Sequence, residues 1–362
     1  MAKTSLLDLS SEVLEAIAFQ LDNRSCLRFA LTCKYVCGIA LAAPFYHTFA
    51  PIDSPKRVRH FIRLLADRLE NPLVGQWILQ FSLGTSFEID GQDCYSHAYQ
   101  VGQAVLLLRE MPNLRRLWIN ALPSIFESSL ADSVIHHVCR AQSLRQVSID
   151  SSRNSLYTAK HVLTLLSLPS LQRLSLASIG LRSISNEMDE ALSGSRTVTE
   201  LYMDCVFANR DSLVALLRKL PALRTIRIWE MAGIAARTAV EVLIATCPHL
   251  HKLELDAFQA DDDFQITPAN WLSNFSTLKQ ITLSAIPIHE TSLLYLSSTV
   301  IDVRLHDIDL PITSLAYAII HWSFDPAVCH NRSIRLYGCH ADEAVQARIL
   351  VSHRYRFGCI NN

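Results

Sequence analysis

The sequence has little net charge and few residues that break regular structure. Lys and Arg total 33 against 34 Asp and Glu, giving a net charge of −1, and charged residues make up only 19% of the chain. Neutralising nucleic-acid phosphates needs a basic excess, so we expect no nucleic-acid partner. Gly and Pro number 10 and 13, too few for a long flexible linker, and the 50% apolar content argues against disorder.

Long apolar runs are also missing. No run approaches the roughly 18 apolar residues that cross a bilayer, and the first residues lack the apolar stretch of a signal peptide. We therefore expect a cytoplasmic or nuclear protein without a membrane partner. The 10 cysteines include no C-x-x-C pair, which in a reducing compartment favours free, buried thiols.

Catalytic motifs are absent as well. The sequence contains no G-x-G-x-x-G, Walker A, H-E-x-x-H or G-x-S-x-G. Cys247, His249 and His251 form C-x-H-x-H, but they lie in a turn before a predicted strand, without a fourth ligand nearby. We interpret them as structural and predict no metal, cofactor or catalytic residue. An enzyme built on one of the cysteines stays a remote alternative.

A repeat is the strongest signal that is present. The pattern L-x-x-L-x-L, with Leu, Ile, Val or Met in each apolar slot, occurs eight times at spacings of 30, 27, 27, 25, 27, 28 and 22 residues. The segments begin at Leu114, Leu144, Leu171, Val198, Leu223, Leu250, Leu278 and Val300. With a fourth slot eight residues after each start, 31 of 32 slots are apolar, against about 16 expected from composition. The mean spacing of about 27 resembles that of leucine-rich repeats.

Each repeat predicts a strand and then a helix. Apolar and polar residues alternate within L-x-x-L-x-L, as in a strand with one buried face. Helical periodicity follows, most clearly at residues 212–220 and 236–246. One strand and one helix cannot bury their own apolar face, so successive units must stack. We predict an α/β leucine-rich-repeat solenoid, a horseshoe with a concave parallel sheet and convex helices.

The pattern extends at both ends of the eight repeats. Ile78, Phe81 and Leu83 fit the template after a predicted helix at residues 56–70. Residues 333–337 predict a last strand, and residues 342–351 predict a closing helix. Because solenoid ends need caps over their cores, we assign residues 51–362 to the solenoid with both caps.

Strand alternation also predicts which side chains point outward on the concave face. Trp, Tyr and Arg are enriched at interface hot spots. Our candidates for contact with a partner protein are Arg116, Trp118, Tyr202, Asp204, Arg227, Trp229, Glu254 and Arg304. Their charges are mixed in sign and indicate no phosphate-specific pocket. The alternative for each residue is a solvated strand face.

The first 50 residues do not fit the repeat. From Asp8 the chain reads DLSSEVLEAIAFQLDNRSCLRFALTCKYVCGIALAAPFYHTF, which is similar to the F-box, so we assign residues 5–50 to an F-box-like three-helix domain. The matching residues are Leu9, Glu12, Leu14, Ile17, Leu21, Leu27, Leu31, Cys33 and Lys34. Ser10 replaces the usual Pro but can itself cap a helix, and Val36 replaces a frequent aromatic residue. The alternative is an ordinary helical cap on the solenoid.

An F-box followed by leucine-rich repeats resembles the substrate receptors of cullin RING ubiquitin ligases. The resemblance implies that the F-box docks on a Skp adaptor, and through it a cullin, while the solenoid binds a substrate protein. Such a receptor is not an enzyme, because it only positions the substrate. Adaptor contacts are expected at Leu9, Val13, Leu14, Ile17, Leu27, Leu31 and Lys34. The alternative is a repeat scaffold that uses this segment for assembly without ubiquitylation.

Overall fold

A computed structural model of the chain shows an α/β protein with parallel strands, as predicted, in two compact units: Met1–Tyr157 with Leu168–Leu171, and Thr158–Ser167 with Gln172–Asn362. The structure describes residues 9–21, 25, 28, 29, 31, 32, 36, 80–83, 111, 113–119, 128–151, 158–181, 195–231, 234–256, 269–286, 288–308, 310–323, 333–337 and 357–359. The helices predicted at 56–70 and 342–351 lie outside these residues. No helix in the described ranges is long and apolar enough to cross a membrane.

The first unit contains two described helices and three strands. Its elements are α1 (Ser11–Gln20), β1 (Gln80–Leu83), β2 (Arg116–Ile119), α2 (Ser128–Val138) and β3 (Gln146–Asp150). Both strand pairs are parallel, with Gln80 opposite Arg116 and Arg116 opposite Gln146. The extra strand predicted around Phe81 is therefore present and joins the repeats of this unit.

The second unit repeats the same plan. It consists of α3 (Ala159–Leu166), β4 (Arg173–Ala177), β5 (Glu200–Asp204), α4 (Arg210–Arg218), β6 (Thr225–Trp229), α5 (Ala236–Thr246), β7 (Lys252–Asp256), a 3₁₀ helix (Trp271–Asn274), β8 (Gln280–Ser284), a second 3₁₀ helix (Ser292–Tyr295), β9 (Asp302–His306), α6 (Ile312–Ser323), β10 (Ser333–Tyr337) and β11 (Phe357–Cys359). Neighbouring strands are parallel and follow chain order from β4 to β11. The first residues of β4 to β9 are all in register.

The repeat template describes the core. All 24 residues in the three slots of the eight L-x-x-L-x-L segments are buried, including Ile226 and Ile228 in β6. The fourth-slot residues that the structure describes are buried too, for example Ile179 and Met231. Burial of alternate residues along β2 to β8 and β10 confirms the predicted alternation, because successive side chains point to opposite sheet faces. In β9 the outward residue Asp302 is buried as well.

A left-handed residue follows five of the strands. Ser178, Cys205, Glu230, Ala285 and Asp307 have φ values of 47–57°. Their backbone amides continue the sheet ladder: the Cys205 amide donates to the Trp229 carbonyl at 2.9 Å, and the Asp307 amide donates to the Tyr337 carbonyl at 2.9 Å. The left-handed conformation is unfavourable for residues with a Cβ, so the sheet imposes it at this point of the repeat.

Hydroxyl groups link successive repeats one residue before the template begins. Ser143 donates to the Leu114 carbonyl at 2.8 Å, Thr277 to the Leu250 carbonyl at 3.0 Å, and Thr299 to the Leu278 carbonyl at 2.8 Å. Each acceptor is the first apolar residue of the preceding repeat. The hydroxyls thus satisfy carbonyl groups between neighbouring strands, which buried backbone requires.

The connecting segments differ from the prediction in one respect. We expected a helix in every repeat, but the segments before β8 and β9 contain 3₁₀ helices of 4 residues each. The repeat from Leu278 to Val300 spans only 22 residues, which leaves little chain for an α-helix once the strand and turn are made. Each connecting helix from α4 to α6 contacts the next one along the chain.

Candidate protein-interaction surface

The eight predicted contact residues all lie at outward strand positions. Arg116 and Trp118 are on β2 in the first unit, where Arg116 is exposed and Trp118 half-buried. The other six lie on β5, β6, β7 and β9 of the second unit. In each unit, we call the sheet face that carries these residues, opposite the buried template residues, the open face.

Strand register arranges the open face of β4–β9 into three rows. The amino row consists of Arg173, Glu200, Thr225, Lys252, Gln280 and Asp302. The central row consists of Ser175, Tyr202, Arg227, Glu254, Thr282 and Arg304. The carboxyl row consists of Ala177, Asp204, Trp229, Asp256, Ser284 and His306. Neighbours within a row are about 4.8 Å apart, the spacing of adjacent strands.

Tyr202 belongs to a cluster that spans β4 and β5. Arg173 Nε donates to Glu200 Oε2 at 2.5 Å, and the Tyr202 hydroxyl donates to the same oxygen at 2.9 Å. The Arg173 guanidinium carbon lies 5.3 Å from the centre of the Tyr202 ring. Partial burial, and then the hydrogen bond to Glu200, raise the pKa of Tyr202, so its hydroxyl remains a neutral donor.

Arg227 and Glu254 belong to a second cluster, on β6 and β7. Glu254 has two cations beside it, with Lys252 Nζ 2.7 Å from Oε1 and Arg227 Nε 3.5 Å from Oε2. The Arg227 guanidinium carbon lies 3.3 Å from the centre of the Trp229 ring. Arg227 is therefore held between a carboxylate and an aromatic ring, which leaves it little freedom to reorient.

Arg304 forms a third cluster within β9. Its Nε and Nη2 atoms donate to Asp302 Oδ2 at 3.1 and 2.8 Å. Asp302 is only 8% exposed. These hydrogen bonds raise the pKa of Arg304.

A stacked ring pair joins β9 and β10. The rings of His306 on β9 and Tyr337 on β10 are stacked with their centres 4.2 Å apart.

Two residues outside the strands extend the carboxyl row. The Cys205 thiol donates to Glu230 Oε2 at 3.1 Å. This hydrogen bond, followed by partial burial and the charge of Asp204, raises the pKa of Cys205 to about 12. The sequence analysis missed this contact, although both residues occupy the position seven after a template start, a column that the alignment of repeats could have shown.

The C-x-H-x-H residues form no metal site. Cys247 is buried, and burial raises the pKa of its thiol. His249 is exposed; burial, and then the charges of Arg224 and Lys279, lower the pKa of His251. Within the part of the chain that the structure describes, no group of three His, Cys, Asp or Glu residues could hold a metal ion.

The predicted adaptor residues have different exposures. Val13 is 44% and Leu31 80% exposed, whereas Leu14 is fully buried. Leu9 and Ile17 are half-buried, and Leu27 and Lys34 lie outside the described residues. Ser10 is the N-cap residue of α1, but its side chain makes no capping hydrogen bond. Of the described residues in this segment, Val13 and Leu31 therefore offer the most apolar surface.

Comparison with known proteins does not assign this surface. A scan against protein-family models finds no match for the chain, and a search of curated proteins finds none either.

Proposed function

We propose that this chain is the substrate-recognition subunit of a ubiquitin ligase of the Skp–cullin–F-box type. The observation that carries the proposal is the regular series of parallel strands, in which the template residues are buried and the alternate side chains are left for a partner. A leucine-rich-repeat solenoid has this construction. The F-box-like sequence from Asp8 supplies the second half of the receptor architecture.

In this function the two parts of the chain do different work. The F-box-like segment docks on the Skp adaptor through exposed apolar side chains, of which Val13 and Leu31 are the described examples. The buried Leu14 supports the small helical core instead. The open face binds the substrate, so the chain positions substrate lysines and performs no chemistry itself.

The test is co-purification of the full chain with a Skp adaptor and a cullin. Alongside the wild type we would use the double variant Val13→Asp, Leu31→Asp. A matched control is Ile301→Asp, Tyr317→Asp, because these residues of the second unit are 44% and 61% exposed. We expect the wild type and the control to retain both partners. The variant at Val13 and Leu31 should lose both while its circular dichroism spectrum is unchanged.

Two other results would count against the receptor. A folded wild-type chain that retains neither partner would overturn it. Retention of the adaptor without cullin would favour the alternative, a repeat scaffold that assembles through the F-box-like segment without ubiquitylation.

A further inference from the structure

Most charges on the open face of β4–β9 are neutralised within the chain. Arg173 pairs with Glu200, and Arg304 with Asp302. Glu254 lies between Arg227 and Lys252. A partner that used these groups would first have to displace an existing ion pair, so the amino and central rows offer little unsatisfied charge.

The carboxyl row is different. Asp204, Trp229 and Asp256 are directly opposite one another on β5, β6 and β7. Among the described residues, neither aspartate forms an ion pair with a cation; Asp204 has only the thiol of Cys205 as a hydrogen-bond neighbour. Glu230 follows Trp229 directly and adds a third carboxylate at this edge. This part of the surface therefore carries negative charge that no ion pair among the described residues neutralises.

Trp229 adds an apolar surface between the two aspartates of the carboxyl row. Although Arg227 lies over its ring, the residue is still 38% exposed. Tryptophan is among the residue types most enriched at interface hot spots. The two aspartates lie one strand away on either side, which puts them about 10 Å apart with the indole between them.

At the opposite edge of these strands, where they begin, the charges are positive. Arg224 and Lys279 occupy the positions immediately before β6 and β8. A cationic ligand is repelled from that edge and attracted to the carboxyl row, whereas an anionic ligand meets the reverse pattern. Charge complementarity thus selects both the sign of the ligand and its position along the strands.

We propose that Asp204, Trp229 and Asp256 form a clamp for an extended basic segment of a substrate protein. Two Lys or Arg side chains bind the aspartates, and the aliphatic parts of these side chains pack on the Trp229 indole between them. In a polyproline II segment residues i and i+3 lie on one side about 9.3 Å apart, which matches the separation of the two aspartates. This inference rests on the proposed function and names its substrate class.

The test uses fluorescein-labelled peptides and the full chain. The first probe is Gly-Lys-Pro-Leu-Lys-Gly, and the second has Glu in place of both Lys. We expect fluorescence anisotropy to show at least about tenfold tighter binding of the Lys peptide, weakening as salt is added. Trp229→Ala should weaken binding of the Lys peptide about tenfold.

Charge reversal gives the sharper result. The double variant Asp204→Lys, Asp256→Lys should prefer the Glu peptide. Its control, Asp211→Lys, Glu290→Lys, makes the same change of net charge at two exposed residues outside the rows and should keep the wild-type preference. The clamp is overturned if the wild type binds neither peptide, shows no preference, or if the control loses the preference as fully as the variant.

The outcome separates this inference from the proposed function when adaptor capture is measured on the same preparations. Capture of adaptor and cullin without a preference for the Lys peptide removes the clamp and leaves the receptor. A preference for the Lys peptide without capture removes the ligase function and leaves a basic-peptide binding surface on a repeat protein.

Discussion

Two kinds of connecting element occur before the strands of the second unit, α-helices in some repeats and 3₁₀ helices in others. The segments before β6 and β7 contain α4 and α5, of 9 and 11 residues. The segments before β8 and β9 contain 3₁₀ helices of 4 residues. The strands β6–β9 are nevertheless all 5 residues long. The strand is therefore constant in this unit, while the connecting element varies.

The comparison shows that side-chain size can replace helix length. In α5 the buried residues are small or medium-sized, such as Ala239, Val240 and Leu243. Before β8 the large rings of Trp271 and Phe275 are both fully buried, edge to face with centres 6.3 Å apart. A single 3₁₀ turn offers few inward positions, and before β8 these two aromatic side chains occupy the volume that several aliphatic residues fill beside α5.

The largest expected effect is at Trp271. Because the indole ring is fully buried and fills much of the core before β8, Trp271→Ala should lower the free energy of unfolding by about 4 kcal/mol. Its indole N–H finds no acceptor among the described residues, so Trp271→Phe, which keeps one aromatic ring in place and loses no hydrogen bond, should cost less, about 1 kcal/mol. Urea denaturation of the three proteins measures both. Equal losses for the two variants would mean that ring volume is not what stabilises this repeat.

Leu243 tests the α-helical side of the comparison. It is fully buried on α5 beside other aliphatic residues, which can relax partly into the space a truncation leaves. We expect Leu243→Ala to cost about 3 kcal/mol, less than Trp271→Ala. A loss larger than that of Trp271→Ala in the same urea measurements would reverse the proposed relation between size and helix length.

Two asparagines provide a matched pair of smaller effects. Asn209 Oδ1 accepts a hydrogen bond from the Ser212 amide at 2.8 Å and caps α4. Asn270 occupies the same position before the 3₁₀ helix, but its side chain makes no capping bond. Asn209→Ala should cost about 1 kcal/mol, and Asn270→Ala should be close to neutral. Similar losses for both in thermal or urea unfolding would contradict this contrast.

The smallest expected effect concerns the left-handed positions after the strands. After β8 this position is occupied by Ala285. After β5 and β6 it is occupied by Cys205 and Glu230, whose side chains form a hydrogen bond with each other. With its pKa raised to about 12, the Cys205 thiol should alkylate slowly with iodoacetamide, at a rate that still rises tenfold per pH unit up to pH 9.5 because the thiolate fraction does. Because the pKa of Cys205 is raised in the folded chain, its thiol loses the proton at a higher pH than in the unfolded chain.

Glu230→Gln removes the charged acceptor and should lower the pKa of Cys205. At pH 8.5 each unit of that decrease makes alkylation of the Cys205 peptide about tenfold faster by mass spectrometry. Cys247, which is buried, is the internal control and should not change. A wild-type rate that levels off near pH 9 would show that Glu230 does not hold the thiol protonated.

The amino-acid sequence predicts the strands and some helices well. Residues 236–246 were predicted as a helix and form α5, and residues 333–337 were predicted as a strand and form β10. The helix predicted at residues 212–220 is shifted by two residues. Asn209 caps it, so α4 begins at Arg210. The spacing of apolar residues along the chain indicates which residues are buried, so these strands and helices can be predicted without knowing which elements pack against them.

The open face was predictable only as a set of positions. Strand alternation placed Tyr202, Arg227 and Trp229 outward, and the structure has them there. The sequence did not reveal that Glu254 lies between Arg227 and Lys252, or that Cys205 contacts Glu230. These contacts join residues of neighbouring strands, so they depend on register and side-chain direction, which spacing along the chain does not specify.

By itself, the sequence determined the repeat, the buried side of each strand and the outward residues, because one apolar period repeated eight times can be satisfied only by stacking equivalent strands. Tertiary structure alone decided which outward charges are paired within the chain and which, like Asp204 and Asp256, are left without a cation of the described residues. It also decided that the rings of Trp271 and Phe275 fill the core beside a short 3₁₀ helix. The physical reason is that pairing and packing depend on distances between repeats, which exist only once the strands are in register.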